Sequence, residues 1–192
     1  MGYNTIPGTN MVIKENDGMF AKFKPLISAT EGLTLGQVCA ITGLESSTIQ
    51  NWVKRKFVAR PVNKKYHERQ LARILLISSL RDAMKIDSIG ELMSLVNGNT
   101  DDEADDIITE ENMYDYFCKI SKSAKDKEVN KNEIASLVAD TISDYEAPDS
   151  LAFNKLRDAL TVMVYAYIAS EYKREAENIL NDMRNETEVD AS

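Results

Sequence analysis

One histidine, two cysteines, four prolines and a single tryptophan stand in a chain of 192 residues, and each scarcity removes a class of function. His67 is the sole histidine; it follows Tyr66 at an expected helix start, where a surface or capping role suits it better than catalysis. Cys39 and Cys118 lie far apart, each inside an apolar helical pattern, which predicts buried reduced thiols in a cytoplasmic protein rather than a disulfide framework. The longest near-apolar stretch, Ala159 to Ala169 with Thr161 inside it, falls well short of the ~20 residues that span a bilayer. No stretch near the N-terminus has the charged and then apolar layout of a signal peptide, so no membrane role is expected. No glycine-rich phosphate loop, nucleophile elbow or metal-ligand pair occurs. The acidic run Asp101, Asp102, Glu103, Asp105, Asp106 lacks the glycine and terminal glutamate of a calcium loop and reads as a solvated linker. The acid–base and nucleophile inventory is too poor for an enzyme, and no catalytic residue, metal site or cofactor is expected.

What is present is charge, unevenly spread. The formal net charge of −8 argues against a polyanion partner only as an average. Residues 33–85 hold ten Lys and Arg against Glu45, Glu68 and Asp82, whereas residues 86–192 hold ten against twenty-five acids. Such asymmetry predicts a module facing a polyanion joined to an acidic one.

The pattern along the chain is helical. Residues 1–29 read as an irregular arm, docked through Met19, Phe20 and Phe23. Thr34 and Gln37 form a capping box for a first helix with Leu35, Val38, Cys39 and Ile41 inward, and Gly43 permits the left-handed turn that ends it. A second helix is expected from Ser46 to about Lys56, with Ile49, Trp52 and Val53 inward. FVARPVNKKY, interrupted by Pro61, reads as a short hairpin with a basic tip. A third helix is expected from Glu68 to about Met84, and a fourth capped by Ser88 with Glu91. The polar residues 98–106 are the best domain boundary. Beyond it, helices capped by Thr109 and Asn130 precede a long one opened by Asp149, apolar nearly all round from Ala159 to Ala169 and running to about Arg184; residues 185–192 read as a frayed tail.

Two short helices separated by a glycine are the sequence form of a helix-turn-helix, whose second helix enters a major groove ~12 Å wide. With Ile49, Trp52 and Val53 inward, Ser47, Gln50, Asn51 and Lys54 point outward. Gln and Asn can read adenine edges bidentately, while Ser, Thr and Lys reach phosphates or bases. Arg55, Lys56 and Arg60 extend the positive surface, and Lys64 and Lys65 sit at the hairpin tip.

The segment from TLGQVCAITG through NWVK and NKKY to IGELMSLV resembles the N-terminal winged-helix domain of MerR-type transcription regulators. It is also similar to a family of small bacterial proteins of unknown function that share this module. The matching positions are Thr34 to Gln37, Thr48 to Trp52, Lys64 with Tyr66, Leu71 to Leu80 and Ile89 to Val96. The resemblance adds Thr48 and Tyr66 to the expected DNA-binding set. This chain departs from the MerR pattern at Gln50 and Lys64, where arginine is usual, and at Asn51, where an aromatic is; the glycine that usually follows the recognition helix is missing from RKFVAR. Base preference therefore does not carry over. Metal sensing does not either, because no cysteine cluster follows the third or fourth helix.

The expectation is an all-α protein with a small hairpin wing. Residues 1–29 form an arm, 30–97 a helix-turn-helix that binds double-stranded DNA, 98–106 an acidic linker, and 107–184 a helical dimerisation or effector domain. It is expected to act as a homodimeric transcription regulator whose C-terminal part could take a small-molecule or protein effector. The alternatives are an adaptor whose basic face docks on an acidic partner, its own C-terminal half included, and an architectural role in recombination of the excisionase kind.

Overall fold

The computed structural model describes residues 6–11, 20–100, 102, 104–126 and 131–189; Met19, Asp101, Glu103 and Asn130 lie outside them. Among the described residues the chain is all-helical. A 3₁₀ turn at Phe20–Lys22 is followed by α1 (Lys24–Ala29), α2 (Leu35–Thr42), α3 (Ser46–Lys54), α4 (Glu68–Leu80) and α5 (Ile86–Asn97). Then come α6 (Glu110–Asp126), α7 (Lys131–Thr141) and α8 (Ser150–Val189).

Local capping chemistry places the starts of α2, α4, α6 and α8. Thr34 accepts from the Gln37 amide at 3.3 Å while Gln37 Oε1 accepts from the Thr34 amide at 2.8 Å, the reciprocal box that satisfies two orphan donors of α2. The His67 amide donates to Gln70 Oε1 at 3.0 Å as α4 begins, the Asn112 amide to Thr109 Oγ1 at 3.3 Å for α6, and the Ala152 amide to Asp149 Oδ1 at 2.7 Å for α8.

Four boundaries differ from the sequence reading. Helix α4 stops at Leu80, four residues early, because residues 81–84 turn. Helix α5 starts after Lys85, whose backbone is extended (φ −67°, ψ 143°), so Ser88 lies inside it and caps nothing. Half-buried Met84 and Ile86 pack against the core there, and that contact draws the helix start forward. Helix α3 ends at Lys54 with Arg55 as its cap. Helix α8 continues to Val189, so residues 185–189 are helical rather than frayed.

The core is one cluster of buried apolar side chains, running from Ile6, Phe20 and Ile27 through Leu33, Val38, Ile49 and Trp52 to α4, and on into α6, α7 and α8. Helix α4 is its axis, with every residue from Gln70 to Ile77 buried. A helix apolar on all sides must be covered on all sides. Helices α2, α5, α6 and α8 all pack on it. Across this junction the Arg73 guanidinium, 2% exposed, is ion-paired with the fully buried Glu110 at the start of α6. Arg73 Nε also donates to the Phe57 carbonyl at 2.8 Å. Burial, opposed by Arg73, pushes the Glu110 carboxyl above its ordinary range. Residues 98–106 are tied to the same side: Arg69 contacts the Asp102 carbonyl and the Asp106 carboxylate, and Thr100 Oγ1 donates to the Lys56 carbonyl at 3.2 Å. Phe20 and Phe23 are buried, the Phe20 ring meeting Tyr114 edge-on at 6.2 Å.

Candidate functional site

Helix α3 is held from behind. Ile49 and Trp52 are buried and Val53 is half-buried, so the helical period leaves Ser47, Gln50, Asn51 and Lys54 on the exposed face. The three residues between α2 and α3 fix how α3 is presented. Gly43 takes φ +71°, its amide donating to the Cys39 carbonyl at 2.8 Å, and the Leu44 amide donates to Thr42 Oγ1 at 3.2 Å. The arm packs here, with the Asn10 amide donating to the Ile41 carbonyl at 3.0 Å. A Cβ at position 43 would lie 2.4 Å from the amide end of the exposed Asn10 side chain, which can swing aside, so it is the left-handed backbone that calls for glycine.

The end of α3 is a Schellman turn. The Phe57 amide donates to the Trp52 carbonyl at 2.9 Å and the Lys56 amide to the Val53 carbonyl at 3.1 Å. Lys56 occupies the left-handed position at φ 63° where glycine is usual, which costs ~1–2 kcal/mol. Behind it, Gly90 of α5 gives the Phe57 ring its place; a Cβ there would stand 2.7 Å from the ring.

The segment expected as a hairpin contains no strand. Val62 and Lys65 exchange amide–carbonyl bonds at 2.9 and 2.8 Å around Asn63 (φ 50°) and Lys64 (φ 63°), and Leu33 pairs with Tyr66 at 2.8 and 2.7 Å. Two positive φ values in a two-residue loop are the type I′ arrangement that suits hairpin twist. Pro61 lacks an amide hydrogen and so cannot extend the ladder as a donor.

The expected residues divide by position. Ser47, Gln50, Asn51, Lys54, Lys56, Arg60 and Lys64 are exposed, and Thr48 is half-buried at the edge of a shallow cleft of about 450 Å³. Arg55 is exposed but engaged: its guanidinium pairs with Asp87 of α5 at 2.7 Å and lies 4.6 Å over the Phe57 ring. Half-buried Lys65 donates to the Thr30 and Gly32 carbonyls at 3.2 and 3.3 Å. Tyr66 corrects the expectation. It is 3% exposed, and burial raises its phenol above the ordinary range, so its ring anchors the turn to the core and is not at a DNA-accessible surface.

Two cations outside the expected set, Arg81 and Lys85, line the same cleft with Thr48 and Trp52. Both belong to the basic run 33–85, but only the sharp α4–α5 turn brings them beside α3. Of the ten cations in that run, Arg55, Arg69 and Arg73 are paired with acids of residues 86–192. Among the described residues, the C-terminal half leaves the outer face of α3 exposed. No cluster of His, Cys, Asp and Glu among the described residues could hold a metal, and no described helix is long and apolar enough to cross a membrane.

These observations define an all-α protein that presents a short polar helix from a continuous core, edged by exposed cations. Residues 30–117 match the family model described as a domain of unknown function (DUF1836). That match takes in α2 to α5, the α3 face, and both partners of the Arg73–Glu110 pair. The chain is similar to the uncharacterized protein YkrK of Bacillus subtilis (strain 168), with 24% identity over 168 residues covering 82% of this chain and 72% of that protein. No solved structure matches the chain.

Proposed function

We propose that the protein binds double-stranded DNA sequence-specifically and acts as a dimeric transcription regulator, with α2 and α3 as a helix-turn-helix and the Val62–Lys65 turn as a minimal MerR-like wing. The observation that carries this reading is the division of α3: Ile49 and Trp52 lock one face into the core, and Ser47, Gln50, Asn51 and Lys54 occupy the other. An α-helix about 10–12 Å across with its side chains fits a major groove ~12 Å wide, and α3 offers such a helix with one face free. Gln50 and Asn51 are the base readers, while Lys54, Lys56, Arg60 and Lys64 hold phosphates. Arg55 and Lys65 serve mainly to hold α3 and the turn in place.

The test uses the full chain. Selection from random duplexes should yield a motif, and affinity should fall with salt by a log–log slope of roughly −0.9 for each phosphate neutralised. Gln50→Ala with Asn51→Ala should relax the motif, since a good bidentate pair is worth ~1–3 kcal/mol of discrimination. Lys56→Ala with Lys64→Ala should keep the motif, weaken all sequences alike and flatten the slope by about two units. No binding at low salt sinks the reading in favour of an acidic protein partner. A motif set by Lys64 and indifferent to Gln50 and Asn51 would mean that the turn, and not α3, reads the groove.

A further inference from the structure

Helix α8 changes character at Glu171. Before it, Leu156, Leu160, Met163, Val164 and Tyr167 bury one side in the core. From Tyr172 to Glu186 every residue is exposed. An isolated helix of that length is marginal in water, so its persistence calls for a packing partner.

The exposed side carries a pattern. Val162, Ala169, Ala176 and Met183 recur every seven residues, and Tyr165, Tyr172 and Ile179 recur three residues after the first three of them. All seven are exposed, Tyr172 by 73%, Met183 by 60% and Ile179 by 54%. This is the a/d spacing of a coiled coil sustained for three heptads. Asp158 and Glu186, at the next d positions, bound it. The sequence reads residues 159–169 as apolar nearly all round, whereas the fold uses one side for the core and leaves this stripe outside.

We infer that the stripe is the seam of an antiparallel two-stranded coiled coil with a second copy of this chain. Self-complementarity selects the occupant. The two-fold register that sets Ala169 against the partner's Tyr172 also sets Ala176 against the partner's Tyr165 and Val162 against the partner's Ile179. Each of these three layers joins a smaller side chain to a larger one, and the outermost stripe residue, Met183, meets the partner's Asp158 at the end of the apolar seam. The same register brings exposed Glu186 to the partner's Lys155 at each end of an overlap about 48 Å long. Lys173 and Glu175 lie beside the partner's Ala166 and Ile168, so these flanking positions oppose no like charges. A parallel pair would stack alanine on alanine and tyrosine on tyrosine, alternating voids with crowding. An isologous two-fold contact of this kind closes on itself as a dimer.

The inference rests on the dimer part of the proposed function and is independent of its DNA part. Sedimentation equilibrium of the full chain without DNA should give twice the 21.6 kDa chain mass. Tyr172→Glu with Ile179→Glu, both exposed positions outside the core, should give a monomer whose thermal transition survives and whose far-UV helical signal drops as the end of α8 unwinds. Oxidative cross-linking reads the orientation. Tyr165→Cys with Ala176→Cys should form a covalent dimer, and Ala176→Cys alone, like the unaltered chain, should not. A monomeric unaltered chain, a dimer that survives the double glutamate variant, or a cross-link from Ala176→Cys alone overturns the inference. If the dimer forms as described and DNA is not bound, only the DNA reading fails; a DNA-binding monomer fails only the dimer.

Discussion

Helices α3 and α8 both show solvent a long face, but of opposite chemistry. On the nine residues of α3 the exposed positions are polar or cationic, and two buried side chains, Ile49 and Trp52, suffice to orient it. On the forty residues of α8 the exposed positions include a tyrosine, isoleucine and methionine stripe, and the last turns have no core behind them. A polar face is stable in water and available to a polar groove. An apolar stripe that long is stable when covered. On the readings proposed above, one surface would meet an anionic partner and the other a second copy, and α4 with the Arg73–Glu110 pair falls between α3 and α8 in the chain.

The comparison breaks most severely at that middle. Arg73→Ala should destabilise the whole chain by ~3–5 kcal/mol, because Glu110 is left buried without its partner and must either stay charged unpaired or take up a proton. Arg73→Met with Glu110→Leu should recover most of that loss in urea unfolding. If the single variant is neutral, the pair does not join the halves. Trp52→Ala should cost a similar ~3–5 kcal/mol, since Trp52 is 5% exposed behind α3. A Trp52→Ala protein of unchanged stability that loses only DNA binding would show that the tryptophan faces the ligand and that the phase of α3 is wrong.

A middle-sized effect tests the turn. Gly43→Ala meets both a left-handed backbone and the Asn10 side chain, and should cost upwards of ~1–2 kcal/mol. Gly43→Ala combined with Asn10→Gly should recover part of that cost. Full additivity of the two changes in chemical denaturation would mean that the Asn10 side chain does not crowd position 43.

The smallest effect separates stability from binding. Lys56→Gly relieves the φ 63° strain, worth ~1–2 kcal/mol, against ~0.4–1 kcal/mol of added unfolded-chain entropy, and should raise stability by up to ~1 kcal/mol. The same change should weaken DNA binding at every sequence and lower the salt slope by about one unit. A rise in stability with unchanged affinity would remove Lys56 from the phosphate contacts.

The legible features were those that depend on residues close in the chain. The Thr34–Gln37 box, the left-handed Gly43, the caps at Thr109 and Asp149 and the phase of α3 all rest on interactions within four residues or so, and each is a matter of side-chain type and helical period. The all-helical class follows from the same periodicities. The hairpin was legible only as a turn: the residues that allow type I′ geometry are local, but Pro61 and the short run leave no ladder to call a strand.

Which charges remain for a ligand was decided by tertiary structure alone. Arg69 and Arg73 meet acids 37 residues away, Arg55 meets Asp87, and Lys65 is bonded to carbonyls more than 30 residues back. A net charge of one segment cannot reveal those pairings, because folding and not composition sets which opposite charges come into contact. Tyr66 was lost to the core, and Arg81 and Lys85 gained beside α3, for the same reason. The seven-residue repeat of α8 was written in the sequence, yet an apolar helix offers several faces. Only the packing of α4, α5, α6 and α7 against one of them determined which stripe stayed in water.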